Sequence, residues 1–285
     1  MRHLDFDVAE MSLAAYIIAK SRGENRIIAI PVFPSRQFRH SAIYLNVNSK
    51  IRRPEDLKGK KVGVPEYQLT AVIWARGILQ NDYGVDPRDI LWFTGGQEEP
   101  GREERIELKK PVGVSIEPVP RERSLSGMLD EGELDAVITP LLPSVYARRS
   151  PRVRRLFENF REVEKDFYKR TGVFPIMHTL VMKRSLYDKH PWVSQNLYKA
   201  FSHAKEEAMQ KLHDTNALRI TLPWIVAEAQ EEAAFLGPDI WPYGVEPNRK
   251  TIQMLIDFLG QQELLERDLT IEDLFAPNTF DMYKT

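Results

Sequence analysis

Arg36, Arg39 and His40 stand close together in the eleven residues Pro31-Val-Phe-Pro-Ser-Arg-Gln-Phe-Arg-His-Ser41, beside Phe33 and Phe38. Guanidinium groups match carboxylates with paired hydrogen bonds, and an imidazole moves protons near neutral pH. Aromatic rings beside them suit a flat ligand, so this set fits an aromatic ring carrying carboxylates. Pro31 and Pro34 fix φ and remove two amide donors, which predicts a loop rather than a helix interior or a central strand. The plainer alternative is a surface loop whose arginines are solvated and whose phenylalanines cap the core.

Further along the chain, Glu66, Tyr67 and His178 are the other acid-base groups that the expected architecture brings near the same place. For either histidine the plainer reading is a core side chain. Thr70 reads as the N-cap of a helix, where free amides and the helix dipole favour an anion. Gly95-Gly96 fits no dinucleotide or phosphate fingerprint, and no H-x-x-x-H, H-E-x-x-H or G-x-S-x-G run is present. The chain has no cysteine, which removes disulfides, thiol catalysis and cysteine zinc sites. No metal site is expected.

These groups need elements to hold them. Ser12 can cap a short apolar helix ended by Gly23, and Ile27 to Val32 and Ala42 to Val47 read as strands. Val62 to Pro65, a helix through Val72 to Leu79, Ile90 to Thr94, a short edge strand Ser115 to Val119, a helix Ser124 to Glu131 and the strand Leu134 to Thr139 follow. That alternation predicts a parallel α/β sheet, with Glu66 to Thr70, Thr94 to Gly96 and Thr139 on the rim where ligands bind. The charged run 97–110 reads as a solvated excursion. Residues 150–170 read as largely helical, and Val173 to Met182 as a strand returning to the first lobe. The helix after Pro191 presents Val193, Leu197, Phe201, Ala204 and Ala208 on one face, which leaves His203 in solvent. Trp241-Pro-Tyr-Gly244 is a rigid turn and Thr270 to Asp273 a capping box. The expected fold is α/β with two lobes and a cleft between them: residues 1–50 and 176–285 form lobe 1, and 51–175 an inserted lobe 2 that closes by hinge motion.

With 285 residues, 40 basic and 41 acidic, the chain lacks the basic excess of a nucleic-acid binder and is long enough for two ordinary lobes. No window approaches a membrane span, and acids interrupt the first ten residues where an export signal needs an apolar run, so a cytoplasmic location is expected. A homo-oligomer is compatible with this size and class.

Several motifs in order then become recognisable. Phe6-Asp-Val-Ala-Glu-Met-Ser12, Ile30 to Arg36, Phe38-Arg-His-Ser41, Val62-Gly-Val-Pro-Glu-Tyr-Gln68, Thr94 to Arg102, Phe174-Pro-Ile-Met-His-Thr179, Trp241-Pro-Tyr-Gly244 and Leu274-Phe-Ala-Pro277 resemble the 4,5-dihydroxyphthalate decarboxylase family. The resemblance implies a type II periplasmic-binding-protein fold in a soluble bacterial enzyme of phthalate degradation that forms protocatechuate and carbon dioxide. It implies no organic cofactor, with an assisting divalent metal left open. Family members begin with a further strand and helix, and this chain is expected to start after them.

A mechanism follows from that resemblance. Arg36 and Arg39 would hold the carboxylates with the amides ahead of Thr70, His40 or His178 would protonate the ring carbon, and Glu66 or Tyr67 would orient or deprotonate a hydroxyl. Ser12, Ser35, Trp241 and Tyr243, within the recognised motifs, join Thr70, Thr94, Gly95 and Thr139 as substrate contacts. A non-catalytic solute-binding protein would use the same cleft, and a related lyase or dehydratase would act there on another aromatic or cyclic carboxylate.

Overall fold

Ser12 closes one element and opens the next. Strand β1 (Val8–Ser12) runs straight into helix α1 (Leu13–Ser21), because the Ser12 hydroxyl accepts the Ala15 amide as an N-cap. The computed structural model describes residues 4–216 and 218–282. β1 pairs antiparallel with β9 (Ile176–Lys183), and β9 with β2 (Ile27–Arg36), making a three-stranded sheet with β9 at its centre.

β2 corrects the expectation of a loop from Pro31. The strand continues through both prolines, because the register against β9 shifts between Ile30 and Ser35 and again before Arg36. A bulged stretch of this kind leaves positions outside the ladder, where a missing amide costs nothing.

The second sheet has the order β6-β5-β4-β7-β3-β8. Strands β4 (Lys61–Val64), β5 (Leu91–Thr94), β6 (Ser115–Pro118) and β7 (Ala136–Ile138) run parallel, with β6 at the edge as expected, so the carboxyl ends of β4, β5 and β7 share one rim. β3 (Ile43–Asn46) pairs antiparallel with β7 and with β8 (Val153–Arg155). The chain therefore enters this sheet before residue 43 rather than near residue 50. β8 was hidden by its charge: Arg154 and Arg155 reach the Ile51 and Ser41 carbonyls from a strand that reads as part of a helix. The helix itself, α5 (Phe160–Thr171), is stopped by Gly172 at φ 65°, a left-handed turn that favours glycine.

Helix α2 (Thr70–Tyr83) follows β4, α3 (Leu125–Glu131) is capped by Ser124, and α4 (Ser144–Ala147) follows β7. After β9 come α6 (Arg184–Lys189), α7 (Trp192–Leu212), α8 (Ile225–Leu236) and α9 (Arg249–Gln261). His203 lies exposed on α7, 3.2 Å from Glu207. One apolar core runs from α1 through β4, α2 and β5 to α9, and Gly77 lets α2 and α9 meet closely within it: a Cβ there would stand 2.1 Å from the Phe258 ring. Among the described residues no helix is long and apolar enough to cross a membrane.

Candidate active site

Three side chains in one row across the first sheet form one wall of a cleft of about 410 Å³. His178 on β9 is paired in register with Ser12 on β1 and with Ser35 on β2, and all three line the cleft. Two positions before Ser12, Glu10 reaches diagonally across the strands, and its carboxylate lies 2.6 Å from His178 Nδ1. A carboxylate at Nδ1 fixes the ring orientation and leaves Nε2, without a partner among the described residues, for the cleft. Glu10 escaped the sequence reading because its partner is 168 residues away.

The opposite wall comes from the carboxyl ends of β4 and β7 and from the start of α2. Here the cap expectation needs correcting: Leu69 is the N-cap, and Thr70 is the first helical residue. Its hydroxyl instead bridges two helix starts, 2.6 Å from Ser12 Oγ and accepting the Ala14 amide at 3.2 Å. The Thr70 and Ala71 amides find no acceptor among the described residues, so this helix start retains donors for an anion.

Arg39 places a cation at the cleft. It is buried at the cleft, its Nε meets the Met177 sulfur at 3.2 Å, and its terminal nitrogens have no partner among the described residues. Burial pushes it down to about 10, which leaves it charged at neutral pH.

Two further arginines come from the run that reads as a solvated excursion. Arg102 and Arg105 line the cleft because Glu66 takes both: its Oε1 accepts from Arg102 and, at 2.8 Å, from Arg105 Nε. The loop is tied down further by the Tyr67 amide donating to Glu104 and by Gln68 reaching the Ile106 and Glu107 carbonyls. Gln97 also borders the cleft and accepts a hydrogen bond from Thr139. No Asp or Glu side chain lines the cleft among the described residues.

The other expected site residues lie elsewhere. His40 is buried in the core between Phe157 and Phe167, with ring centroids at 5.3 and 5.4 Å, and neither ring nitrogen has a partner among the described residues. Burial pulls it down to about 4, so it is neutral and sealed from substrate. Tyr67 is equally buried, with the Arg76 guanidinium 3.6 Å from its ring centre, and Glu66 serves the loop. Arg36 borders the cleft, but its guanidinium donates to the Phe174 and Pro242 carbonyls and to Asn248. The bulge in β2 is the reason: the register shifts between Ser35, which pairs with His178, and Arg36, which pairs with Ile176.

Thr94 and Gly95 are not part of the lining. Gly95 is required by packing, since a Cβ would come 2.3 Å from Val119, and Gly96 by the Glu99 carbonyl. Thr139 sits behind Gln97. Trp241 donates to the Phe33 carbonyl and borders a different cavity, and Tyr243 packs under Lys205. Among the described residues, no group of three or more His, Cys, Asp or Glu side chains is placed to hold a metal ion.

With this geometry in place, known proteins give it a context. A family model described as the periplasmic substrate-binding protein of a phosphonate ABC transporter matches residues 1–99. The 4,5-dihydroxyphthalate decarboxylase of Comamonas testosteroni is 42% identical over 283 residues, covering 99% of this chain and 86% of the relative. The enzyme of the same name from Pseudomonas putida is 46% identical over 168 residues, or 59% of this chain and 65% of the relative. Among solved structures, the periplasmic aliphatic sulphonate binding protein SsuA from Escherichia coli superposes with a TM-score of 0.52 at 15% identity, covering 98% of this chain and 82% of that one. The desulfurization enzyme DSZB superposes at 0.50, also at 15% identity, covering 97% and 84%. The fold is thus that of periplasmic binding proteins, and it serves both a binder and an enzyme.

Proposed function

We propose that this chain, which belongs to the 4,5-dihydroxyphthalate decarboxylase family, is a carboxy-lyase that converts 4,5-dihydroxyphthalate to protocatechuate and carbon dioxide in the cleft between its two sheets. The observation that supports this site is a histidine held by Glu10 in a cleft lined by arginines and, among the described residues, by no carboxylate. Such a lining suits a dianion and offers it one group able to give a proton.

In this reading Arg39, Arg102 and Arg105 hold the two ring carboxylates, and the Thr70 and Ala71 amides add donors. The hydroxyl para to one carboxylate feeds an electron pair into the ring as its proton passes to water. The carbon bearing that carboxylate takes a proton from His178 Nε2 and becomes tetrahedral in a cyclic dienone. The bond to the carboxylate then breaks, its electron pair restores the aromatic ring, carbon dioxide leaves, and the hydroxyl regains a proton. Water reprotonates His178. Glu10 positions the imidazole throughout, and the scheme uses no organic cofactor.

Incubation with 4,5-dihydroxyphthalate in deuterated water tests this. The expected result is protocatechuate carrying one solvent deuteron at the carbon that lost its carboxylate. Tight binding without turnover would replace the reading with a solute-binding protein, and neither binding nor turnover would point to another cyclic carboxylate. A cytoplasmic location and a homo-oligomeric state belong to the same reading, and cell fractionation and light scattering check them.

A further inference from the structure

Behind the cleft, on the other side of Arg36 and Gln37, lies a larger cavity of about 500 Å³ with a different character. Its walls are aromatic: Phe38 stacks on Phe174 at 4.6 Å, Trp241 meets Phe174 edge-on at 5.5 Å, and Phe160 and Phe235 complete them. Arg36, only 4% exposed, borders it. Its guanidinium is bonded to two carbonyls and an amide oxygen, its Nε is buried without a partner, and no carboxylate among the described residues pairs with it. Asp239, the acid with the largest influence on it, is engaged 2.9 Å from Lys205. A buried guanidinium in that state keeps an uncompensated charge, which is costly until an anion meets it.

We propose that this cavity is a second binding site, specific for a single-ring aromatic monocarboxylate whose carboxylate meets Arg36 and whose ring lies among the phenylalanines. The preference for one carboxylate follows from the remaining charges. Glu164, Glu228, Glu231 and Glu232 line the cavity, and its other two cations are already committed, Arg161 to Glu228 at 2.5 Å and Lys165 to Glu231 at 2.6 Å. A second carboxylate on the ligand would face those acids with no free cation to receive it. The cavity therefore selects against the dianion that the cleft is built to hold.

Calorimetry with benzoate and phthalate on the wild type, Arg39→Ala and Leu236→Trp tests the assignment. Leu236 lies in the cavity wall on α8 and plays no part in the cleft. Benzoate should bind the wild type and Arg39→Ala alike and lose at least about tenfold in affinity in Leu236→Trp, a difference of about 1.4 kcal/mol. Phthalate binding should follow Arg39 and ignore the filled cavity, and Leu236→Trp should retain turnover. Should Leu236→Trp not fold, Phe235→Ala carries the same expectations for benzoate. Benzoate affinity that follows Arg39 instead, or phthalate binding to Arg39→Ala as tightly as benzoate, overturns the proposal. Loss of turnover on filling the cavity also overturns it, because the reaction would then belong there.

Discussion

The cleft and the cavity behind it share Arg36 and Gln37 and differ in the sign of what surrounds the ligand space. The cleft has Arg39, unpaired among the described residues, with Arg102 and Arg105 sharing the single carboxylate of Glu66 behind the lining, and no acid among its described lining residues, whereas the rear cavity has four glutamates, two committed cations and one buried guanidinium. The cavity is the larger and more aromatic of the two, so size and apolar character alone would choose it for an aromatic substrate. Charge balance and the availability of a proton donor choose the cleft. Where a ligand carries two charges, the excess of cations over acids around the site discriminates better than volume.

His178→Ala should break the comparison most sharply. Losing the proton donor should lower kcat by about 10²- to 10⁴-fold, with substrate binding largely retained. Arg39→Ala comes next, with an expected rise in KM of about 10- to 100-fold, the size of one charge-assisted contact. Steady-state kinetics separate the two, and a KM defect for His178→Ala would remove it from its role. Glu10→Gln should lower kcat by about 10-fold at unchanged KM, the lower end of what loss of an orienting partner costs, and Glu10→Asp should restore part of it. An unchanged kcat in Glu10→Gln would mean that the pair is only a surface contact.

His40 provides the smallest effect on activity and a separate effect on stability. The unfolded chain binds a proton at this residue near pH 6.5, while the folded chain holds it off until about 4. Folding stability attributable to it is therefore complete above pH 6.5 and is lost as pH falls towards 4, on the order of 3 kcal/mol. His40→Leu should leave turnover near wild type and flatten that loss in denaturant titrations at pH 7, 5.5 and 4.5. A collapse of turnover in this variant would return His40 to the active site.

The alternation of elements was legible from the sequence because glycines, prolines and β-branched runs punctuate it. The parallel rim followed from that alternation, as did the Ser12 cap and the exposed His203. What was not legible depended on pairing partners far away in the chain. Arg36 and Arg39 look equivalent in sequence, but the bulge in β2 sends Arg36 to the Phe174 and Pro242 carbonyls and leaves Arg39 at the cleft. His40 and His178 are both histidines in apolar surroundings, and only the fold shows that one lies between two phenylalanines and the other beside a glutamate. Arg102 and Arg105 sit in a charged run of the kind that solvent usually claims, and Glu66, itself expected to do chemistry, brings them to the cleft.

The contact of Gly77 with Phe258 also bears on how substrate reaches the cleft. Because α2 and α9 meet without room for a single methyl group, and one core spans both sheets, the sheets are locked at that crossing and resist swinging apart as independent shells. Traffic would then depend on the 97–110 loop, which is held to the body of the protein chiefly by hydrogen bonds and ion pairs, with Leu108 packed against the core. Passage through the cleft would be governed by how often the Glu66 pairs let go, a barrier that dissolved salt could lower.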